Sequence, residues 1–229
     1  MTVATQSRRE IEYPESDGQP MAETDLHRNW MFWLIELLQS FFAGQQVYVS
    51  GNLLVYYVEG NPKKSVAPDV FVVKNVEPHA RRVFKLWEEG VVPCFVLETT
   101  SRKTGREDLG RKMKLYARLG VREYFLFDPE QDFFEPALRA YRLVGRRYMP
   151  LEMDETQGIL SEELGLIIRL EGLELGLYDA KSGARLLTGE RRAWQAEERT
   201  REIKAALEQE RQARQALEAE LAKLRGTTT

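Results

Sequence analysis

The chain has 229 residues, a hydrophobic share of 43% and a formal net charge of -3. This length predicts one domain with a tail, and this charge excludes a protein coated all over with positive charge, so any nucleic-acid contact requires a local basic patch. One cysteine and two histidines argue against a disulfide framework and a Cys/His zinc cage.

The same composition predicts a cytoplasmic protein. No run approaches the roughly 20 apolar residues that a membrane span needs. The first residues contain no apolar segment of a secretory signal, and the single cysteine, Cys94, suits a reducing compartment.

The N-terminal half begins with an arm and a core helix. Residues 1–22 are polar and predict an extended arm without a fold of its own. Thr24 or Asp25 then supplies a possible N-cap, and Gly44 ends the pattern. Between them, apolar side chains at three- and four-residue spacing predict the main core helix. They are Trp30, Trp33, Leu34, Leu37, Leu38 and Phe41.

Three strands are predicted after this helix. Residues 47–49 and 53–58 flank Ser50-Gly51-Asn52, which predicts a tight hairpin because Gly and Asn accept positive φ. Residues 66–73 are apolar apart from Asp69, which is typical of a strand buried on both faces. Because burial of an unpaired charge is costly, Asp69 stands out in this strand.

A strand, a helix and a strand follow in close succession. Residues 91–97 form the most apolar stretch and predict a central strand that ends at Glu98. A helix is predicted from residue 106 or 107 to 119, closed by Gly120. Residues 124–127 predict the next buried strand. This order indicates a βαβ unit.

The remaining chain predicts edge strands and a charged tail. Short patterns at 140–143, 148–151, 166–170 and 173–177 predict further strands at one edge of the sheet. From Thr188 the composition predicts a long helix, either solvated or paired in a coiled coil that forms a homodimer. One heptad seam contains Ala193, Ala196, Thr200, Ile203, Leu207, Glu210, Arg214, Leu217, Leu221 and Leu224.

The two strand carboxylates are the candidate metal ligands. Mg²⁺ prefers carboxylate and water oxygens, so Asp69 and Glu98 on paired strands suffice to hold Mg²⁺ or Mn²⁺ against a phosphodiester. The alternative readings are structural: Asp69 as a strand-start carboxylate that caps a loop, and Glu98 as a strand-end carboxylate turned to solvent.

A lysine is expected beside these acids to stabilise negative charge on phosphate. Side chains alternate along a strand, so the simplest position is two residues after Glu98, and that position is Thr100. Two substitutes are Lys103 in the following loop and Lys112 on the next helix. For Lys112 the alternative is an ordinary helix pair with Asp108.

Residues 102–122 form the required basic segment. Its eight cations are Arg102, Lys103, Arg106, Arg111, Lys112, Lys114, Arg118 and Arg122, and its two acids are Glu107 and Asp108, so the local charge is +6. We predict nucleic-acid contacts from Arg102, Lys103, Arg106, Arg111 and Lys114. A solvated helix face is the alternative. His27 and His79 have no carboxylate or cysteine partner at recognisable spacing.

Several motifs occur in order along the chain. They are Val66-Ala67-Pro68-Asp69-Val70, Phe95-Val96-Leu97-Glu98 with Thr100-Ser101, Asp108, Lys112, Tyr116, Gly120-Val121, Glu123-Tyr124 and Asp128-Pro129. Together they resemble the Uma-two family of the restriction-endonuclease-like PD-(D/E)XK nucleases, in its cyanobacterial type. The resemblance covers residues 20–180.

The resemblance implies a mixed β-sheet flanked by helices and a divalent-metal site at Asp69 and Glu98. It implies a lysine displaced to a position such as Lys112, and an additional carboxylate from the N-terminal helix, for which Glu36 or Glu23 is the candidate. The sequence as a whole predicts an arm (1–22), a restriction-endonuclease-like α/β domain (23–187) and a helical tail (188–229).

Two functions follow as hypotheses. The first is a Mg²⁺-dependent endonuclease acting on DNA. The second is a nucleic-acid-binding or assembly module that keeps the nuclease fold without cleavage and self-associates through its C-terminal helix.

Overall fold

The structure is a computed structural model that describes residues 11–16, 24–102, 104–133 and 135–226. The chain divides into one unit of residues 1–186 and a second of residues 187–229.

The strands are β1 (Val47–Ser50), β2 (Val55–Tyr56), β3 (Ser65–Val66), β4 (Val70–Lys74), β5 (Phe84–Lys85), β6 (Phe95–Thr99), β7 (Glu123–Phe127), β8 (Leu138–Val144), β9 (Arg147–Pro150), β10 (Gly158–Ser161), β11 (Leu166–Glu171) and β12 (Glu174–Asp179). The helices are α1 (Asp25–Phe41), α2 (Leu86–Glu89), α3 (Gly105–Glu107), α4 (Met113–Leu119) and α5 (Gly189–Gly226), with a π-helical turn, Asp108–Lys112, between α3 and α4.

A six-stranded mixed sheet organises the first unit. Its order is β1-β4-β6-β7-β8-β9. The central strands β6 and β7 are parallel, and the other neighbours are antiparallel. The helical stretch from Gly105 to Leu119 connects β6 to β7 and ends where Gly120 adopts a φ of 91°. The predicted α/β fold, with its βαβ unit, is therefore confirmed.

Helices cover both faces of this sheet. Thr24 caps α1, since its side chain accepts a hydrogen bond from the backbone N–H of His27. The apolar face of α1 packs in one core cluster with alternate residues of β4 and β6, such as Val72 and Phe95. The intervening residues, such as Phe71, face a second cluster that contains Leu115 of α4. Alternation along buried strands separates the two cores.

The predicted hairpin between residues 47–49 and 53–58 is wrong. β1 pairs with β4 in the six-stranded sheet, whereas β2 pairs with β3 and β5 in a separate three-stranded sheet. Asn52 adopts the expected positive φ of 49°, but its backbone N–H donates to the carbonyl oxygen of Pro68. The turn residues thus hold a distant segment and carry the chain from one sheet to another.

Proline changes two other predicted strands. The run 66–73 is divided into β3 and β4, and Asp69 lies in the gap between them. Pro68 has no backbone N–H to donate to a ladder, so it interrupts the strand. The central strand begins at Phe95 rather than at residue 91, two residues after Pro93. Asp69 therefore lies outside both strands, whereas Glu98 remains within β6.

The C-terminal strands do not all extend the main sheet. β8 and β9 form its edge, as expected, but β10, β11 and β12 form a separate antiparallel sheet. Alternate residues of β11, including Leu166 and Ile168, are buried in the same core cluster as α1. The period-two pattern predicted these strands, but it contained no information about the sheet to which they belong.

A buried carboxylate, Glu123, links the two sheets. Its side chain is 1% exposed and pairs with Arg142 at 3.0 Å between Oε1 and Nη2. Ser161 donates its hydroxyl to Glu123, and the backbone N–H groups of Glu162 and Glu163 donate to the same carboxylate. A buried charge is stable only when it is satisfied in this way.

Glu123→Gln is expected to lower the free energy of unfolding by about 2 kcal/mol, because it removes charge-assisted hydrogen bonds to a buried group. Urea denaturation measures this loss. Glu162→Gln is the matched control, since Glu162 pairs with the same Arg142 but is 63% exposed. Exposed pairs contribute about 1 kcal/mol or less, so an equal loss in both variants would contradict the structural role of Glu123.

The described piece of the N-terminal arm, residues 11–16, contains no helix or strand but packs on the rest of the first unit. The ring of Tyr13 lies 5.1 Å from that of Tyr56 and 5.2 Å from that of Trp87. The hydroxyl of Tyr56 donates to the carbonyl oxygen of Pro14 at 2.5 Å. Burial of an aromatic side chain therefore anchors this segment, which the polar composition did not predict.

The second unit contains α5, a helix of 38 residues. Trp194, Ile203 and Leu207 are exposed on it. No helix among the described residues is both long and apolar enough to cross a membrane.

Candidate carboxylate–lysine site

The two strand carboxylates meet where β4 and β6 pair. The strands are antiparallel, and Val70 lies opposite Leu97. This register places Asp69, just before β4, beside Glu98. The backbone N–H of Asp69 donates to Glu98 Oε2 at 3.2 Å. The pairing on which the predicted site depends is therefore present.

Glu98 is fully buried, with an exposed fraction of 0%. The hydroxyl of Tyr116 donates to Oε1 at 2.7 Å, and Lys112 Nζ lies 3.0 Å from Oε2. The alternative in which Glu98 turns to solvent is wrong. Burial of a carboxylate is costly, and the contacts with Tyr116 and Lys112 offset that cost.

Lys112 pairs with two acids at once. Its Nζ lies 3.0 Å from Asp108 Oδ1 as well as 3.0 Å from Glu98 Oε2. The helix pair with Asp108 is thus formed, and the same ammonium group also contacts the strand carboxylate. Asp108 itself is only 1% exposed. With Asp69 beside Glu98, three acidic side chains and one lysine meet at this site.

The π-helical turn brings the helix residues of the site into line. Asp108 and Lys112 are its first and last residues, and Tyr116 follows one turn later in α4. A π turn contains one more residue than an α turn, so residues four apart lie almost directly above one another. Tyr124 donates its hydroxyl to the carbonyl oxygen of Asp108 at 3.0 Å, which supports the turn from β7.

Burial and neighbouring charges shift the protonation equilibria of this site. Burial raises the pKa of Glu98, and Asp69 and Asp108 add to this rise against the opposing effect of Lys112. Burial likewise raises the pKa of Asp108. Burial lowers the pKa of Lys112, but its three carboxylate neighbours outweigh burial and raise it. Burial and Glu98 raise the pKa of Tyr116, which therefore stays a hydrogen-bond donor.

His27 is a site residue that the sequence analysis missed. Its Nε2 lies 2.9 Å from Asp69 Oδ2, and the backbone N–H of Thr99 donates to the same oxygen at 2.7 Å. No partner for His27 was found at a recognisable spacing, because the partner lies 42 residues away in the segment before β4. The sequence signal for this position was the N-cap residue Thr24, because it places His27 in the first turn of α1.

Neither candidate for the extra helix carboxylate is seen at the site. Glu36 is exposed on α1, nine residues after His27. Nine residues correspond to about two and a half helical turns and about 13.5 Å, so Glu36 projects from the opposite side of the helix. Glu23 lies outside the described residues. The α1 side chain that contacts Asp69 is therefore a histidine.

Gly51 positions the backbone of Asp69 by close approach. A Cβ atom at Gly51 would lie 1.9 Å from the carbonyl oxygen of Asp69 and 2.8 Å from Ile35. Only glycine allows this approach of two backbones. Together with the hydrogen bond from Asn52 to Pro68, it holds the segment that carries Asp69 against the loop after β1.

Thr100 occupies the position where the strand lysine was expected. Its backbone N–H donates to Phe127 at 2.6 Å. Its hydroxyl and that of Thr99 are buried without a hydrogen-bond partner among the described residues. Of the two substitute lysines, Lys112 reaches Glu98, and Lys103 lies outside the described residues.

The predicted nucleic-acid contacts fall into two groups. Arg102 pairs with Asp132 at 3.2 Å, and Arg111 pairs with Glu107, so both cations are already neutralised within the fold. In the described chain, Arg106 and Lys114 have no carboxylate partner. The basic segment is therefore less available to phosphate than its sequence charge of +6 suggested.

The fold and the site have the features expected of a restriction-endonuclease-like protein: a mixed sheet, paired strand carboxylates and a lysine delivered by the next helix. The model of the Uma2 family, described as "Putative restriction endonuclease", matches residues 3–175. The chain belongs to this family.

Among solved structures, the chain is similar to a protein described as "a putative nuclease belonging to DUF820" from Anabaena variabilis. The identity is 14% and the TM-score 0.46, over 63% of this chain and 76% of that one. The comparison with curated proteins gave no significant match.

Proposed function

We propose that this chain is a divalent-metal-dependent endonuclease that hydrolyses phosphodiester bonds in DNA. One observation carries the proposal: Glu98 and Asp108 both contact Lys112, and Asp69 lies beside Glu98 where β4 meets β6. Membership of the family supports nuclease activity. The metal and the DNA substrate are our own extension, as is the cytoplasmic location expected from the sequence.

The residues present fit a hard cation. Among the described residues no cluster of three or more His, Cys, Asp or Glu side chains is arranged as a metal cage. Two carboxylates suffice for Mg²⁺ or Mn²⁺, however, because such ions keep several waters. The carboxylate oxygens of Asp69 and Glu98, which lie on neighbouring chain segments, suit such a ligand. We propose Asp69 and Glu98 as the residues that hold it; when bound, it supplies an activated water and neutralises phosphate charge.

The remaining residues have positioning and electrostatic roles in this proposal. Lys112 places a fixed positive charge beside Glu98, where negative charge develops on phosphate. Tyr116 and His27 orient the two carboxylates through the contacts described above. Arg106, on the helical stretch that leads to Lys112, supplies charge for the DNA backbone.

The test is nicking of supercoiled DNA by the full chain in Mg²⁺ or Mn²⁺. The wild type is expected to cut, and Asp69→Asn and Glu98→Gln are expected to lose at least about 100-fold in rate, because each variant removes a charged oxygen ligand. Glu36→Gln is expected to retain cleavage, since that side chain is exposed on the opposite side of α1. Equal rates in the wild type and both carboxylate variants would refute the proposed site.

A second candidate is a binding or assembly module without cleavage. The observation that favours it is that both oxygens of Glu98 already have protein partners, so this carboxylate needs no cation to be satisfied. Isothermal titration with Mn²⁺ separates the two candidates. Absence of metal binding, together with DNA binding that persists in EDTA, would favour the second.

For the tail we propose self-association through α5. Ile203 and Leu207 are exposed one helical turn apart, and both belong to the predicted seam. A long polar helix is difficult to stabilise alone, so pairing would contribute to its stability. Truncation after Leu187 is expected to convert a dimer to a monomer in light scattering. If the truncated and full-length proteins contain the same number of chains per particle, this role is refuted.

A further inference from the structure

A cavity of about 610 Å³ lies between α4 and the hairpin formed by β8 and β9. Four basic side chains line it, two from each element. They are Lys114 and Arg118 from α4, and Arg146 and Arg147 from the hairpin, with Met113 and Tyr148 among the other lining residues. Basic residues separated by about thirty positions in the chain are thus collected around one space.

These four cations differ from most others in the first unit. Arg28, Arg81, Arg122, Arg142 and Arg185 all have carboxylate partners. Lys114, Arg118, Arg146 and Arg147 have none among the described residues, and all four are exposed. The fold therefore leaves their charge available to an external ligand.

The arrangement places like charges close together. Lys114 and Arg118 are four residues apart on α4, where like charges repel and destabilise a helix. Arg146 and Arg147 are consecutive at the turn of the hairpin. An anion bound between the two pairs would relieve both repulsions. Such an arrangement is expected of a surface whose partner is negatively charged.

The basic cavity lies on the far side of α4 from the carboxylate–lysine site. Leu115 and Tyr116 form the buried face of this helix, and Tyr116 donates to Glu98. Lys114 and Arg118 are on its exposed face. A phosphate held in this cavity is therefore not one held beside Glu98.

The wall opposite α4 is well supported. Tyr148 donates its hydroxyl to the carbonyl oxygen of Val121 at 2.8 Å, and its ring lies 5.8 Å from that of Tyr124. These contacts tie the edge strand β9 to the segment that follows α4. The hairpin arginines therefore project from a fixed base, which reduces the entropy lost when they bind a ligand.

We infer that this basic cavity binds the phosphate groups of a polyanionic ligand. A nucleic-acid strand supplies this chemistry, and so does a free nucleoside triphosphate. The inference goes beyond the proposed cleavage, because it concerns a second surface and requires neither the metal nor the carboxylates.

The test measures binding of a fluorescent DNA duplex and of a fluorescent single strand to the full chain by anisotropy, in EDTA. Arg146→Gln/Arg147→Gln is expected to weaken binding and to reduce the slope of log affinity against log salt concentration by about 2, one unit for each lost phosphate contact. Lys114→Gln/Arg118→Gln should act in the same direction from the other wall. The same variants titrated with ATP distinguish a free nucleotide from a strand.

Lys63→Gln/Lys64→Gln is the matched control, because these adjacent lysines are also exposed and have no carboxylate partner in the described chain. If the affinity for DNA or ATP falls only in the cavity variants, the inference stands. The ligand whose affinity falls shows whether the phosphate groups belong to a nucleic-acid strand or to a free nucleotide. Equal losses in the control, unchanged binding in the cavity variants, or no binding of either ligand by the wild type would overturn it.

Failure of this inference is separable from failure of the proposed function. Ligand binding is measured in EDTA without metal, whereas DNA nicking is measured with Mg²⁺ or Mn²⁺ present. A chain that nicks DNA while both cavity variants bind normally has the proposed active site but not this surface. A chain that never nicks but loses DNA binding in the cavity variants has this surface alone.

Discussion

Lys112→Met is expected to reduce DNA nicking by at least about 100-fold and to lower the free energy of unfolding by about 3 kcal/mol near neutral pH. The reason is that Glu98 and Asp108 would remain buried without the ammonium that now lies 3.0 Å from each of them. Nicking assays and urea denaturation measure the two effects.

The stability loss should depend on pH in a defined direction. Burial already raises the pKa of Glu98 and of Asp108 above their values in the unfolded chain. For such groups protonation favours folding, so their stabilising contribution is present at low pH and lost as pH rises through the folded-state pKa. Without Lys112 both pKa values rise further. The difference between variant and wild type should therefore be larger at about pH 9 than at about pH 6.

Lys114→Met is the control for this experiment. Lys114 is exposed two residues away on the same helical stretch and has no carboxylate partner among the described residues. Its replacement should change the free energy of unfolding by about 0.5 kcal/mol or less and leave the pH dependence unaltered. A loss for Lys112→Met that is the same at both pH values would show that Lys112 does not neutralise the buried carboxylates.

Gly51→Ala is the second variant with a large expected effect. The added Cβ would lie 1.9 Å from the carbonyl oxygen of Asp69, so the backbone that carries this carboxylate must move. Forced insertion into a packed site costs about 1 to 3 kcal/mol. Displacement of Asp69 by about 1 Å should reduce nicking by roughly 100-fold. Thermal or urea unfolding and the nicking assay report the two losses independently.

Gly110→Ala is the matched control for Gly51→Ala. Gly110 lies in the π-helical turn between Asp108 and Lys112, yet a Cβ there meets no atom within 4 Å. Alanine at this position should be tolerated and could gain up to about 1 kcal/mol of helix propensity. Similar losses in both variants would mean that glycine is needed for its backbone freedom and not for the close approach to Asp69.

Local pattern was sufficient to find the polar residues that interrupt apolar strands. Asp69 and Glu98 stood out because alternation and burial make a charge costly there, and the structure shows their strands paired. The four-residue spacing of Asp108 and Lys112 predicted a helix pair, which the structure places beside Glu98. The roles of these residues in catalysis and metal binding remain predictions.

Local pattern was not sufficient where a contact joins distant elements. The turn at Gly51 read as a hairpin because its residue types accept positive φ, but its partner is the backbone around Asp69. The sequence showed no partner for His27 at a recognisable spacing, because Asp69 lies far away in the chain. Glu36 was a candidate for the helix carboxylate that the resemblance implies, and only the rotation of α1 shows that it projects away from the site.

The sequence by itself determined the α/β class, the two carboxylates in apolar strands and the lysine on the following helix, because period and polarity are local properties. The pairing of the two strands was decided by the tertiary structure. The tertiary structure alone decided that Glu98 is fully buried, that His27 reaches Asp69, and that Arg102 and Arg111 are neutralised by acids. It also brought Arg146 and Arg147 opposite α4. The physical reason is that strand order and helix rotation depend on how all elements share the cores, and no single stretch of sequence contains that information.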